Sequence, residues 1–122
     1  MSKQSDAIYD LLVQTFPYNT IIKEYYVKYK GLRLFFDFYI KELKLLIEIQ
    51  GQQHFSFIKY FHENRQAFLA QKYRDNLKKS FVDSHPYLVL VCINYDEDYD
   101  KKSLLEKISD CQKECYARKI EI

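Results

Sequence analysis

The run Leu34-Phe-Phe-Asp37-Phe-Tyr-Ile-Lys-Glu-Leu-Lys-Leu-Leu-Ile-Glu48-Ile-Gln50-Gly-Gln-Gln-His54-Phe decides how this chain folds. Leu32 to Ile40 is almost continuously apolar and rich in aromatic side chains, which predicts a strand. Lys41-Glu42 turns the chain. Leu43 to Gln50 predicts a further strand, apolar enough to lie in the middle of a sheet. One acid interrupts each strand: Asp37 in the first, Glu48 in the second. A carboxylate in such surroundings costs several kcal/mol unless something compensates it. The turn folds one strand back on the other and can bring Asp37 near Glu48. Glu48 and Gln50 are two apart and share one strand face, while Ile47 and Ile49 point the other way.

Working outward, Thr20 to Lys30 is rich in Ile, Tyr and Val and predicts a strand. It is joined to the next by a tight Lys30-Gly31 turn, so the three strands form an antiparallel meander. Before them, Ser5 to Phe16 predicts a helix with Ile8, Leu11, Leu12 and Thr15 on its inner side, started by Ser5 or Asp6 and ended by Pro17 and Asn19. Beyond them, Gly51 to Tyr60 reads as irregular. A long helix is expected from His62 to Phe81, with Ala67, Phe68, Ala70, Leu77 and Phe81 inward, broken by Ser84-His85-Pro86. Tyr87 to Ile93 is apolar throughout and predicts a strand buried on both faces. An acidic loop, Asp96 to Asp100, caps a last helix from Lys101 to Ala117 with Leu104, Leu105, Ile108, Cys111 and Cys115 inward. The order α-β-β-β-α-β-α belongs to the α/β class, with a central sheet flanked by helices.

A chain of 122 residues is one domain, here residues 1–122. Its 12 Tyr and 9 Phe bring enough apolar area to drive folding, which argues against disorder. With 2 Gly and 2 Pro, few turns are forced. No apolar run is long enough to cross a membrane, and the start Met-Ser-Lys-Gln-Ser-Asp lacks the apolar stretch of a leader. Three cysteines, an odd number, are expected as reduced thiols in the cytoplasm. Cys111 and Cys115 are four apart, but no second pair completes a zinc site, so they read as small hydrophobes. The net charge of +2 balances 19 basic against 17 acidic residues, so any basic surface must come from segregation of charge.

Two converging carboxylates with no lysine squarely between them suggest a divalent cation, and hard oxygen ligands open to phosphate favour Mg²⁺ or Mn²⁺. The plainer alternative pairs Asp37 and Glu48 with Lys or Arg on neighbouring elements. His54, beside Gln50, Gly51 and Gln53, is either a general acid or phosphate contact, or a structural hydrogen-bonder. On the long helix, Gln71, Asp75 and Lys78 share a side. They read either as a solvated face with an internal Asp–Lys pair, or as Gln71 near a metal-bound water with Arg74 or Lys78 on phosphates. Two basic clusters, Lys28-Lys30-Arg33 and Lys72-Arg74-Lys78-Lys79, can grip the backbone of a duplex. Tyr25, Tyr26, Tyr29, Tyr39, Tyr60 and Tyr73 read as packing and edge residues rather than stacking platforms.

At these residues the chain resembles the PD-(D/E)xK nucleases. Asp37, Glu48 and Gln50 match the signature, with Gln50 in place of the usual Lys. The run Phe-Asp-Phe-Tyr-Ile to Leu-Ile-Glu-Ile-Gln-Gly-Gln-Gln-His-Phe is similar to small phage and bacterial endonucleases related to very-short-patch repair enzymes and to some homing endonucleases. The resemblance continues through Phe68, Gln71, Arg74, Asp75 and Lys78 to the strand ending at Ile93, covering residues 5 to 95. It implies a restriction-endonuclease-like fold with a mixed sheet and metal-dependent hydrolysis of DNA, duplex or branched. It further implies Mg²⁺ held by Asp37, Glu48 and the Ile49 carbonyl. Gln50 would then orient water without supplying charge, helped by His54 or a second metal. The family's further acid on the first helix has no direct equivalent; Asp6, Asp10 and Glu24 are the candidates. Lys41 stands where a Pro is usual. One such site cuts one strand, so cutting both requires a homodimer or two nicks. The competing reading is a non-catalytic nucleic-acid-binding or assembly module with the same fold.

Overall fold

The computed structural model describes residues 3–50, 65–94 and 96–121. Seven elements appear in the expected order: α1 (Lys3–Thr15), β1 (Ile21–Tyr29), β2 (Leu32–Ile40), β3 (Leu45–Gln50), α2 (Arg65–Asp83), β4 (Val89–Asn94) and α3 (Lys101–Glu121). The strands form one mixed sheet in the order β1-β2-β3-β4. β1 to β3 are antiparallel neighbours, whereas β4 runs parallel to β3, from Leu45 opposite Val89 to Gln50 opposite Asn94. A parallel pair needs a crossover between its strands, and α2 lies within this one.

Two helices cover opposite faces of the sheet. Phe38 and Ile47 are register partners and share a face, and Phe38 stacks on Tyr9 of α1 with ring centroids 6.0 Å apart. Residues of the other face, Glu48, Gln50, Leu90 and Cys92, line a cleft together with α2. α3 packs along β4 and is tied to α2 through Arg118 and Asp83, 3.2 Å apart. The core comprises Ile8 and Leu12 of α1, the buried apolar residues of β2 to β4 (Leu34, Phe36, Phe38, Ile40, Leu45, Leu46, Ile47, Val89, Val91 and Ile93), Leu77, Phe81 and Val82 of α2, and Leu104, Ile108, Cys111 and Cys115 of α3. All three cysteines are free thiols. Among the described residues no helix is long and apolar enough to cross a membrane.

Several local expectations are corrected. α1 begins at Lys3, so Ser5 and Asp6 lie inside the helix and do not cap it. The Lys41-Glu42 turn takes four residues, because Lys44 adopts φ 54° and its N–H bonds the Lys41 carbonyl at 3.3 Å; β3 therefore starts at Leu45. β4 is buried on one face and half-buried on the other, because it is the last strand of the sheet and its second face opens onto the cleft. On α2, Ala70 is exposed and Val82 is buried, and on α3 Leu105 is exposed. Each helix turns 100° per residue and rests on a narrow stripe. Asp100 is the cap of α3: its Oδ1 accepts the Ser103 N–H at 2.8 Å, and Ser103 Oγ accepts the Asp100 N–H at 2.9 Å.

The tight turn between β1 and β2 is as expected. Lys30 (φ 50°) and Gly31 (φ 80°) both occupy the left-handed region, the pattern of a two-residue type I′ turn. Glycine adopts that conformation freely and lysine does not. Lys30→Asn should therefore raise the melting temperature by about 2–4 °C, since asparagine is the favoured partner of glycine in this turn. Gly31→Ala should lower stability by about 1 kcal/mol through backbone strain alone, because a Cβ there meets no atom within 4 Å. Thermal melts of the two variants check both signs.

Candidate active site

β2 changes the helix it faces at Asp37. Phe38 packs on α1, yet Phe36, two residues earlier and also buried, lies 6.3 Å from Phe81 of α2. Strict alternation would send both rings the same way. The β1–β2 ladder pairs Lys23 with Phe38 and Tyr25 with Phe36 and skips Glu24 and Asp37 between them; Glu24 is left-handed, at φ 51°. The reversal thus occurs across both strands at one level of the sheet.

The β2–β3 ladder also ends there. Its register pairs run from Ile40–Leu45 to Phe38–Ile47. At the next level Asp37 Oδ2 accepts the Ile49 N–H at 2.7 Å. A side-chain oxygen holds the two strands together where backbone pairing stops. It also fixes the Asp37 carboxylate against β3, at the level of Glu48.

Glu48 points to the α2 side. Its Oε2 accepts a hydrogen bond from Lys78 Nζ at 2.9 Å, and both side chains are largely enclosed, 22% exposed for Glu48 and 11% for Lys78. The ammonium also stands 5.5 Å from the centroid of the Phe36 ring, so carboxylate and ring share one cation. Burial pushes the Glu48 carboxyl up to about 7. Lys78 pulls it down without prevailing, while the negative charges of Asp37 and Asp75 push it further up. The neighbouring Cys92 thiol is raised to about 11 by burial and by Glu48, so it stays protonated at neutral pH.

Glu48, Lys78 and Cys92 open onto a cleft of about 230 Å³ between β3, β4 and α2. Glu48 and Gln50 share it, as their spacing requires. Lys72, Asp75, Asn76, Lys78 and Lys79 line the α2 side. Lys78, read from the sequence as a phosphate contact or as the partner of Asp75, has its ammonium on Glu48, so a lysine does stand at the carboxylates and Glu48 follows the plainer reading of pairing with a neighbouring element. No motif spacing marks this lysine; the only sequence signal is that Gln71, Asp75 and Lys78 share a helix side, and that side faces the sheet. Gln71 donates to Asp75 Oδ1 at 3.2 Å. Arg74 is exposed, and Lys28, Lys30 and Arg33 are exposed on the β1–β2 hairpin. Asp6, Asp10 and Glu24 are exposed as well, and among the described residues no three of His, Cys, Asp and Glu gather as a metal-holding group. His54, Gly51 and Gln53 lie outside the described residues.

No protein-family model matches this sequence, and no solved structure matches it. Two curated viral proteins do. Over 49 residues the chain is 46% identical to Uncharacterized protein 307L of Invertebrate iridescent virus 6, and over 65 residues it is 34% identical to Uncharacterized protein 033L of Invertebrate iridescent virus 3. The stretches cover 40% and 53% of this chain but 25% and 33% of those proteins, so the match spans a quarter to a third of their length.

The Glu48 shift carries a stability signature. Its folded value of about 7 lies above the ordinary 4.5, so between these pH values the folded state holds a proton that the unfolded state has released. The stabilisation is complete below about 4.5 and is lost as pH rises through about 7. In urea titrations across this window, the wild type should lose stability with rising pH more steeply than Glu48→Gln, which has no proton to lose. Parallel curves would show that Glu48 titrates normally.

Proposed function

We propose that this chain is a metal-dependent DNA endonuclease of the restriction-endonuclease-like class. The observation that carries the reading is the group formed by Asp37, Glu48 and Lys78: two carboxylates at the level where the β2–β3 ladder opens, with a nearly buried ammonium between carboxylate and ring. The residues fit a hard divalent cation. Glu48 is enclosed beside a second carboxylate, which disfavours its own charge unless a cation joins them. Cys92, in the same cleft, is held as a thiol and so does not add a soft ligand. Asp37, Glu48 and the Ile49 carbonyl would hold Mg²⁺ or Mn²⁺.

When bound, such a cation polarises the scissile phosphate and lowers the pKa of a bound water. The chain's own residues supply the rest. Glu48 would serve as a ligand in its deprotonated form, and Lys78, in the same cleft, would provide the positive charge that Gln50 lacks. Gln50, on the same strand face as Glu48, orients water through its amide. Lys72 and Lys79 on the cleft wall neutralise the flanking phosphates.

The Glu48–Lys78 pair also favours a second reading, in which the lysine is only a counter-ion and the chain is a binding module without activity. Lys78→Ala separates the two. In the nuclease reading it lowers nicking of supercoiled DNA by about 10²-fold. It also enlarges the rise in melting temperature produced by Mn²⁺, because the ammonium no longer competes for Glu48. Asp37→Asn and Glu48→Gln abolish both nicking and the Mn²⁺-dependent shift, and Gln50→Lys keeps activity. A wild type whose melting temperature ignores millimolar Mg²⁺ and Mn²⁺, and which leaves supercoiled, linear, single-stranded and branched DNA intact, ends the nuclease reading.

A further inference from the structure

The β1–β2 hairpin has two unlike sides. The inner side is anchored to α2: the Tyr29 hydroxyl hydrogen-bonds Ser80 Oγ at 2.9 Å, the Tyr29 ring meets Phe81 edge-on at 5.5 Å, and Leu34 and Phe36 are buried. The outer side is bare. Tyr26 and Phe35 sit directly opposite each other in register, with centroids 5.7 Å apart, yet they are 50% and 53% exposed. One step toward the tip, exposed Lys28 sits directly opposite exposed Arg33. Register partners and residues two apart share a face, so two rings and two cations form one surface, with Lys30 at the turn beyond.

This surface stabilises the fold poorly. Like charges directly opposite each other on a ladder repel, and the two rings keep half their area in water. The Arg33 guanidinium lies 5.5 Å from the Tyr26 ring centroid, which holds a cation and an aromatic face side by side. A polyanion relieves the repulsion of Lys28 and Arg33, and flat apolar groups cover the rings. Single-stranded nucleic acid offers both at once, whereas a duplex offers phosphates but keeps its base faces in the stack. The surface lies beyond the level at which the β2–β3 ladder ends, on the face of the sheet opposite the cleft.

We propose that the outer side of the β1–β2 hairpin binds single-stranded DNA, with Tyr26 and Phe35 stacking on unpaired bases and Lys28 and Arg33 on the adjoining phosphates. The choice of DNA rests on the nuclease reading, which it deepens by naming an unpaired strand as what the chain grips. The sequence alone points otherwise, to Tyr26 as a packing residue and to Lys28, Lys30 and Arg33 as contacts to a duplex. Only the exposure and alignment of the rings make this a stacking surface.

Binding of a fluorescent oligothymidylate, measured by anisotropy in EDTA, tests the proposal without cleavage. Tyr26→Ala combined with Phe35→Ala should weaken binding by about 10-fold or more. Arg33→Ala should reduce the slope of log affinity against log salt by about 0.7. The chain contains no tryptophan, so Phe35→Trp introduces a single reporter whose emission should be quenched by the bound strand. All these side chains are exposed, and unchanged melting temperatures confirm that the variants fold. Tighter binding of a blunt duplex than of the single strand, an unquenched reporter, or unchanged affinity of the double alanine variant each overturns the proposal. So does a shift in oligomeric state of that variant by sedimentation, which would make the surface a contact between two copies. Single-strand binding without any metal-dependent cleavage supports the platform while removing the nuclease reading. Cleavage that persists with unchanged affinity in the double variant does the reverse.

Discussion

A single hydrogen bond, from the Ile49 N–H to Asp37 Oδ2, stands at the centre of this architecture. Above it, β2 and β3 are an ordinary antiparallel ladder with Phe38 and Ile40 facing α1. Below it, β2 has turned its buried rings toward α2 and backbone pairing with β3 has ended. Such a junction would leave the Ile49 N–H without its ladder partner, and an unpaired buried donor costs about 1–3 kcal/mol. The carboxylate supplies the acceptor. In doing so it fixes its own position beside β3, so the residue that makes the strand junction tolerable also places a second carboxylate where it acts on Glu48.

The second constraint is electrostatic. Two further acids, Asp37 and Asp75, act on Glu48 together with the enclosed ammonium of Lys78. Burial and like charge together outweigh the lysine at Glu48, which is why its carboxyl titrates near neutrality rather than in the acid range. A site in that condition responds strongly to any added positive charge and to pH. The proposed role as a metal-dependent nuclease is one use of this imbalance, with Asp37 and Glu48 as the residues that would hold the cation and Lys78 as the charge beside them.

The two sides of the β1–β2 hairpin follow from the same reversal. Because the strands exchange faces at Glu24 and Asp37, Tyr25, Tyr29, Leu34 and Phe36 turn toward the α2 side and find partners there, such as Tyr39 for Tyr25 and Phe81 for Tyr29. The alternate residues, Tyr26, Lys28, Arg33 and Phe35, are left exposed on the other side. An aromatic pair and a pair of like charges then face water together, which is what sets this surface apart from the rest of the sheet.

The sequence by itself determined the order of elements, the class of fold and the candidate pair Asp37 and Glu48. These rest on local physics: periodicity of two or of 3.6, turn residues such as Lys30-Gly31, and the anomaly of a carboxylate in an apolar strand. It also placed Gln50 on the face of Glu48, since alternation within a short strand does not depend on what lies outside it. Only the tertiary structure decided that Lys78 belongs with Glu48, because that contact joins residues 30 apart through the packing of α2 on the sheet. Only it showed that Phe36 and Phe38 face different helices, because a reversal at one ladder level leaves no trace in composition. The same holds for Tyr26 and Phe35. An aromatic residue in a strand reads as packing or edge by its chemistry, and whether it is covered depends on what lies against its face of the sheet, which only the packing of the elements decides.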